Sequence, residues 1–237
     1  MSHETMTLRQ AAKHIHLDEN ELRHIAQRGE VDASVRGGEW FFDHAALDEW
    51  AQRHLLASNA KSIAKRHRDM VERWRSEHSS AFAVAPLFAQ ESVELDIPAK
   101  AKAGMVRDMT DLADRSGLVY DPEALFRELM AREDAASTAI GAGVAFLHPR
   151  RHDPYLFAES FLAYGRSSRP IFFGAPDGAA TRHFFLICAA DHELHLRILA
   201  RLAVLAHGTS LTERLDAAED SAAVVDAVGL CEAEFSK

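Results

Sequence analysis

Cysteine is scarce in this chain. Cys188 and Cys231 stand alone, far apart and outside any CxxC pair, which excludes a disulfide framework and a thiolate metal cage. Long apolar runs are missing as well: none approaches the roughly 20 residues that a bilayer span requires. The opening MSHETMTLRQ has neither the basic n-region nor the apolar core of a signal peptide, so a cytoplasmic location is expected. Positive charge is in deficit, with 27 Lys+Arg against 36 Asp+Glu and a formal net charge of −9. That balance excludes broad, non-specific nucleic-acid binding by the whole chain. The Gly141-x-Gly143 pair lacks the Lys-Ser/Thr of a phosphate loop, so no nucleotide cofactor is expected. There remain 237 residues with 47% hydrophobic content, enough for one large domain or two smaller ones around a sizeable core.

The charge is unevenly spread. Residues 1–56 hold 6 Lys+Arg against 10 Asp+Glu, whereas residues 57–80 hold 6 against 3. Within residues 1–56, Thr7 to Ala12 opens a short helix, Asp18 is an N-cap candidate, and Leu22, Ile25 and Ala26 line a second helix that stops at Gly29. Two short strands then flank the Gly37-Gly38 turn, and Asp43 can cap a helix whose Leu47, Trp50 and Leu55 share a face. A helix-turn-helix with a small wing is the architecture expected.

The order TLRQAAKHIHLDENELRHIAQRGEV followed by VRGGEWFFDHAALDEW resembles the small winged helix-turn-helix domains of the excisionase and MerR type. The resemblance implies that the second helix enters the major groove, with Arg23, His24, Gln27 and Arg28 as candidate DNA contacts and Arg36 reaching from the wing. Asp18, Glu19 and Glu21 depart from that pattern, because acidic groups at the helix start repel phosphates. The module therefore reads either as a DNA-binding domain or as a fold kept for docking and dimerisation.

Residues 57–82 form a basic connector in which Ile63, Met70, Val71 and Trp74 share a helical stripe. A stripe with no core of its own must pack on the next domain or on its copy in a partner chain, so a homodimer is expected.

Residues 83–237 alternate helix and strand. Val93 to Ile97 reads as a strand, Lys100 to Gly117 as a helix, and Asp121-Pro122-Glu123 as the start of another. Small residues and the Gly141 and Gly143 punctuation precede an apolar run from Val144 to Leu147, which delivers His148 at its tip. Next come a strand from Phe157 to Leu162, a turn at Tyr164 to Arg166, the Gly174 to Gly178 loop, a buried strand from His183 to Ala190 and a helix from Glu193. The expected fold class is α/β, with a mixed, about five-stranded sheet carrying helices on both faces.

Several separated pieces stand in one register: Arg132-Glu133, AIGAGVAF, His148 with Arg150, GAPDG, FFLICAA and HLRILARLAVL. Together they make residues 90–228 look like an enzyme IIA domain of the fructose/mannitol and nitrogen-regulatory branch of the bacterial phosphotransferase system. The resemblance implies that His148 accepts a phosphoryl group from a histidine-containing phosphocarrier protein, that His195 lies beside it, and that Arg132 helps to hold the phosphate. The residue types suit that chemistry. A neutral imidazole carries a usable lone pair at cellular pH, and Arg132 and Arg150 offer planar donors to phosphoryl oxygens. Leu147 stands where the family usually has Pro, and Pro149 where it has a small residue.

No metal is expected: His192 with His195, His14 with His16, or His148 with His152 would supply only two ligands each. The function expected is a regulatory phosphocarrier whose N-terminal module reads out the state of His148 through DNA, a regulatory target or a transporter component. The alternative is an adaptor of the same fold that is never phosphorylated.

Overall fold

The computed structural model describes residues 5–15, 17–57, 82–150 and 155–235. Most of the 57–82 connector, with its stripe from Ile63 to Trp74, lies outside the described residues, as do His16 and His152. The chain divides into two compact units, Met1–Ser58 and Asn59–Lys237.

In the first unit, strand β1 (Thr5–Thr7) runs into helix α1 (Leu8–His14), and helix α2 (Glu19–Gln27) comes after a short turn. The sequence writes both helix starts. Thr7 and Gln10 form a reciprocal capping box, and Asp18 accepts from the backbone N–H of Asn20 at 2.8 Å. Gly29, at φ 72°, ends α2 in a backbone region that disfavours other residues. Strands β2 (Ala33–Arg36) and β3 (Glu39–Asp43) pair across Gly37-Gly38, both at positive φ as a two-residue hairpin requires. Asp43 Oδ1 then accepts from the Ala46 N–H at 3.0 Å and opens helix α3 (His44–Ala57). Leu22, Ile25, Val31, Phe42, Leu47 and Trp50 make the core. The side chain of Leu55, expected on the same face, lies outside the described residues. The sequence predicts two strands here and the sheet has three, because β1 is too short to show a period and is ordered by pairing Met6 with Phe42.

The described part of the second unit opens with a short 3-10 turn (Ala85–Leu87) and strand β4 (Phe88–Ile97). Helices α4 (Lys102–Arg115) and α5 (Pro122–Ala135) precede strands β5 (Ala139–Gly141) and β6 (Val144–Leu147). Strands β7 (Phe161–Ile171) and β8 (Thr181–Cys188) lead to helices α6 (His192–Gly208), α7 (Leu211–Ala217) and α8 (Ser221–Phe235). The five strands stand in the order β4-β7-β8-β6-β5, with β4/β7 and β6/β8 parallel and the other pairs antiparallel. Strands β6 and β8 are apolar on both sides because both faces of the sheet are covered. On one face Ala145, Leu147, Ala163, Phe184 and Leu186 join Met105, Met109, Leu125 and Leu129 of α4 and α5. The opposite face carries Phe146, Tyr164 and Phe185, with Phe185 in ring contact with both others, and α6, α7 and α8 form the second helical layer.

The strand expected from Phe157 to Leu162 begins instead at Phe161, and the expected turn at Tyr164 to Arg166 is the middle of β7. Phe157 forms an isolated bridge to Val119. Gly165 is the physical reason, since it serves close approach and not a turn. A Cβ there would meet Ile97 Cδ1 at 2.3 Å and Met109 Sδ at 2.4 Å. Arg166 stays extended because its Nη1 donates to the carbonyls of Leu215, Asp216 and Ala218, closing the end of α7.

Beside Arg166 lies a buried polar pair. The Tyr164 hydroxyl and His183 Nδ1 are 2.8 Å apart, and His183 Nε2 is 3.6 Å from Asp216. Burial pushes Tyr164 upward and lowers His183 to about 4, against the opposing pull of Asp216. A second buried group, Glu232, binds Arg201 Nε at 3.2 Å and accepts from the Val84 and Ala85 N–H groups, joining α6, α8 and the start of the unit.

This packing has two measurable outcomes. Gly165→Ala overfills the contact between β7 and α4 and lowers the unfolding free energy by about 1–3 kcal/mol in urea titration. His183 is held neutral when folded and titrates near its ordinary value when unfolded. Its contribution to stability is therefore complete above about pH 6.5 and is lost as pH falls toward 4. A His183→Gln chain should show a shallower loss of melting temperature across that window than the wild type, and an equal slope in both would refute the assignment.

Candidate functional site

Strands β6 and β8 run parallel and end at the same edge of the sheet, so the segments leaving their C-terminal ends arrive in one place. After β6 comes His148; after β8 comes Asp191, whose side chain accepts from Leu194 N–H at 2.8 Å and starts α6. His195 lies on the first turn of that helix. The two imidazoles are fully buried, with ring centroids 4.8 Å apart and a tilt of 54°. The N-terminal end of α6 adds partial positive charge to the same space.

From the opposite helical layer comes Arg132, on the last turn of α5 and only 3% exposed. Its Nε donates to His148 Nε2 at 3.0 Å, while Nη1 donates to the Ala136 carbonyl at 2.8 Å. On the far side of the ring, His148 Nδ1 lies 2.8 Å from the Phe146 carbonyl. A carbonyl can only accept, and a guanidinium only donates. These two partners thus select one neutral tautomer, with the proton on Nδ1 and the lone pair on Nε2, directed at Arg132.

Glu133, the other half of the Arg132-Glu133 pair, fixes the segment. It is buried, accepts from Lys102 Nζ at 2.8 Å, and its second oxygen accepts from both the backbone and the hydroxyl of Thr138. Lys102 also lies 5.0 Å from the centre of the Phe173 ring. Sequence reasoning misses Lys102 and Thr138. The signal for them is Glu133 itself, a carboxylate beside an arginine on an apolar helix face that needs partners of its own.

The glycine motifs stand at the other end of β6. Asp177 accepts from Ala142 N–H at 3.0 Å and from Ala179 N–H at 3.0 Å, so the Gly174 to Gly178 loop clasps the β5–β6 turn. Those two backbone bonds, that from Ala179 the stronger, lower the carboxyl of Asp177. Gly141, at φ 93°, is required there because a Cβ would lie 2.9 Å from Asp177 Oδ2. Arg150 is exposed, and its backbone N–H reaches the Glu128 carbonyl at 3.3 Å. The structure thus brings His148, His195 and Arg132 together, with Arg150 on the surface two residues beyond His148.

Of the candidate DNA contacts, Arg23, His24 and Gln27 lie on α2 and Arg28 at its C-terminal cap, away from the buried Leu22, Ile25 and Ala26. His24, Gln27 and Arg28 are exposed, Arg23 is half-buried and donates to Asn20 Oδ1 at 3.0 Å, and Arg28 pairs with Glu30. Arg36 lies over the Phe41 ring at 5.7 Å on the hairpin. Among the described residues no helix is long and apolar enough to cross a membrane.

Comparison with known proteins matches this architecture. Residues 86–229 match the family model described as phosphoenolpyruvate-dependent sugar phosphotransferase system, EIIA 2. The chain is similar to the fructose-specific EIIABC component of Bacillus subtilis, at 26% identity over 61% of this chain, but spans only 23% of that longer protein. It is 31% identical to the fructose-specific EIIA component of Haloferax volcanii over 57% of this chain and 88% of that one. Among solved structures, the nitrogen regulatory protein IIA-Ntr of Neisseria meningitidis superposes with a TM-score of 0.55 at 24% identity, covering 61% of this chain and 98% of that one. Enzyme IIA mannitol of Escherichia coli, solved in complex with phosphorylated enzyme IIB mannitol, superposes with a TM-score of 0.52 at 19% identity, covering 60% and 96%. With the family model covering more than half of its length, the chain belongs to the EIIA 2 family of the phosphoenolpyruvate-dependent sugar phosphotransferase system.

Proposed function

We propose that this chain is a regulatory phosphocarrier in which Nε2 of His148 accepts a phosphoryl group from a histidine-containing phosphocarrier protein. The reading rests above all on the tautomer held at His148, with Nδ1 on the Phe146 carbonyl and the Nε2 lone pair facing Arg132. In the transfer, the donor's N–P bond breaks as the Nε2–P bond forms, and the donor nitrogen recovers the lone pair. His148 keeps its Nδ1 proton throughout, so no general base is needed. Arg132 must release Nε2 for the attack, and its guanidinium is then placed to donate to the phosphoryl oxygens. His195, on the other side, donates to the same oxygens, and the start of α6 favours the added charge. Arg150 meets the group, or the donor, at the surface.

Pro149 holds His148 extended, since the residue before proline is kept out of the helical region. Leu147 takes the place of the family's proline as the last residue of β6, buried in the core and paired with Leu186.

The N-terminal unit, with helices α1 and α2 and the β2–β3 hairpin, serves as the readout module. Arg23, His24, Gln27 and Arg28 at α2, and Arg36 on the hairpin, are the candidate contacts to a DNA groove or to an acidic partner. The phosphorylated state of His148, richer by about two negative charges, is the signal that this module reads out. Sugar uptake and nitrogen control are the two settings that its relatives' names suggest, and an enzyme IIB-type transporter component is the receiver by the same analogy.

Incubation with phosphoenolpyruvate, the general phosphotransferase enzyme and the carrier should give acid-labile phosphate on the wild-type chain and none on His148→Ala. An unlabelled wild type would favour the non-phosphorylated adaptor. In the same assay, Arg132→Ala should slow labelling about 10²–10³-fold with an unchanged far-UV circular dichroism spectrum, as expected for a donor that stabilises transferring charge.

A further inference from the structure

Three potential ligands converge in the N-terminal unit from separate parts of its sequence. His14 ends α1; His44 and Asp48 sit at i and i+4 near the start of α3, on one face of the helix. His14 Nε2 is 2.7 Å from Asp48 Oδ1, and His44 Nδ1 is 3.3 Å from Asp48 Oδ2. The two imidazole rings lie 4.6 Å apart with a 47° tilt. One ligand atom from each of the three residues lies within 4.8 Å of the others.

We propose that His14, His44 and Asp48 form a binding site for a divalent transition cation, zinc in the first place. Two imidazoles and one carboxylate are the borderline donors that zinc prefers over calcium or magnesium. A tetrahedral zinc with bonds of about 2.0–2.1 Å sets its ligand atoms about 3.4 Å apart. His14 and His44 now approach different oxygens of Asp48, and one ligand atom from each residue lies within 4.8 Å of the others, so the ion draws the three side chains together by small rotamer adjustments. All three side chains are half-buried, at 17%, 35% and 13% exposure. Partial burial of this kind favours an ion over bulk water at the three donors while leaving them within reach of a cation from solvent. Three protein donors are fewer than the four of a closed structural cage, and a zinc ion here would complete its tetrahedron with a fourth ligand.

Sequence order hides this site, because His14 stands 30 positions before His44 and the nearer pairing in the chain is with His16. The bound cation joins the end of α1 to the start of α3 and so clamps the helices that enclose Leu22, Phe42 and Leu47. The readout unit thereby becomes sensitive to metal supply, independently of whether His148 carries phosphate.

The test uses the full chain after chelator treatment, titrated with Zn²⁺ by calorimetry, and with Co²⁺ for its visible absorption. The wild type should take up a zinc ion that raises the melting midpoint of the N-terminal unit and should give a tetrahedral Co²⁺ spectrum without a thiolate band. His44→Gln and Asp48→Asn should each weaken zinc about 100-fold or more while the metal-free circular dichroism spectrum stays that of the wild type. His148→Ala should bind as the wild type does, placing the ion away from the phosphoryl site. Absence of zinc binding by the wild type, or isotherms unchanged in both variants, would overturn the proposal and leave a hydrogen-bonded cluster only. If either variant is misfolded, the Nε2 and Nδ1 resonances of His14 and His44 in the wild type decide, since they must shift on Zn²⁺ addition.

Discussion

The C-terminal unit holds one nitrogen lone pair, that of His148 Nε2, in front of one guanidinium. An imidazole free to turn would spend its time in the wrong tautomer or the wrong orientation. Here the ring is fixed from both ends, by a carbonyl two residues back along its own strand and by Arg132 from a helix. Neither partner could hold the ring alone. The carbonyl sets which nitrogen is protonated, and the arginine sets where the other one points.

That fixation is inherited from deeper parts of the fold. Arg132 is placed because α5 ends where it does, and α5 ends there because Glu133 is tied to Lys102 on α4 and to Thr138 at the start of the next strand. A carboxylate buried this deeply would be costly without those partners. With them, it converts the position of one helix into the position of its neighbour in sequence. At the opposite end of β6, Asp177 clasps the Gly141 to Gly143 turn, so the strand is anchored at its start as well as at its tip.

The sequence makes much of this readable and conceals the rest for identifiable reasons. Helix starts are legible wherever a capping residue stands in line: Thr7, Asp18, Asp43, Asp121 and Asp191 all cap as their types suggest. The His148–Arg132–His195 grouping is legible through resemblance, and the geometry brings those three together. Gly165 is ambiguous because glycine signals both a turn and a close approach, and only the opposing side chains of Ile97 and Met109 distinguish the two. The short strand β1 and the His14–His44–Asp48 cluster are invisible because each depends on pairing between residues distant in the chain. The glycine-rich loops stand at the far end of β6 from the histidines, where they fix the start of the strand and not its tip.

Arg132 belongs to the helical layer on one face of the sheet and His195 to the layer on the other, and they meet only over the strand edge that carries His148. The site is therefore a seam between two layers and not a pocket within one. Any force that slides one layer against the sheet carries away one jaw of the clamp while the other keeps its grip. The geometry around His148 thus becomes a gauge of alignment across the whole thickness of the unit.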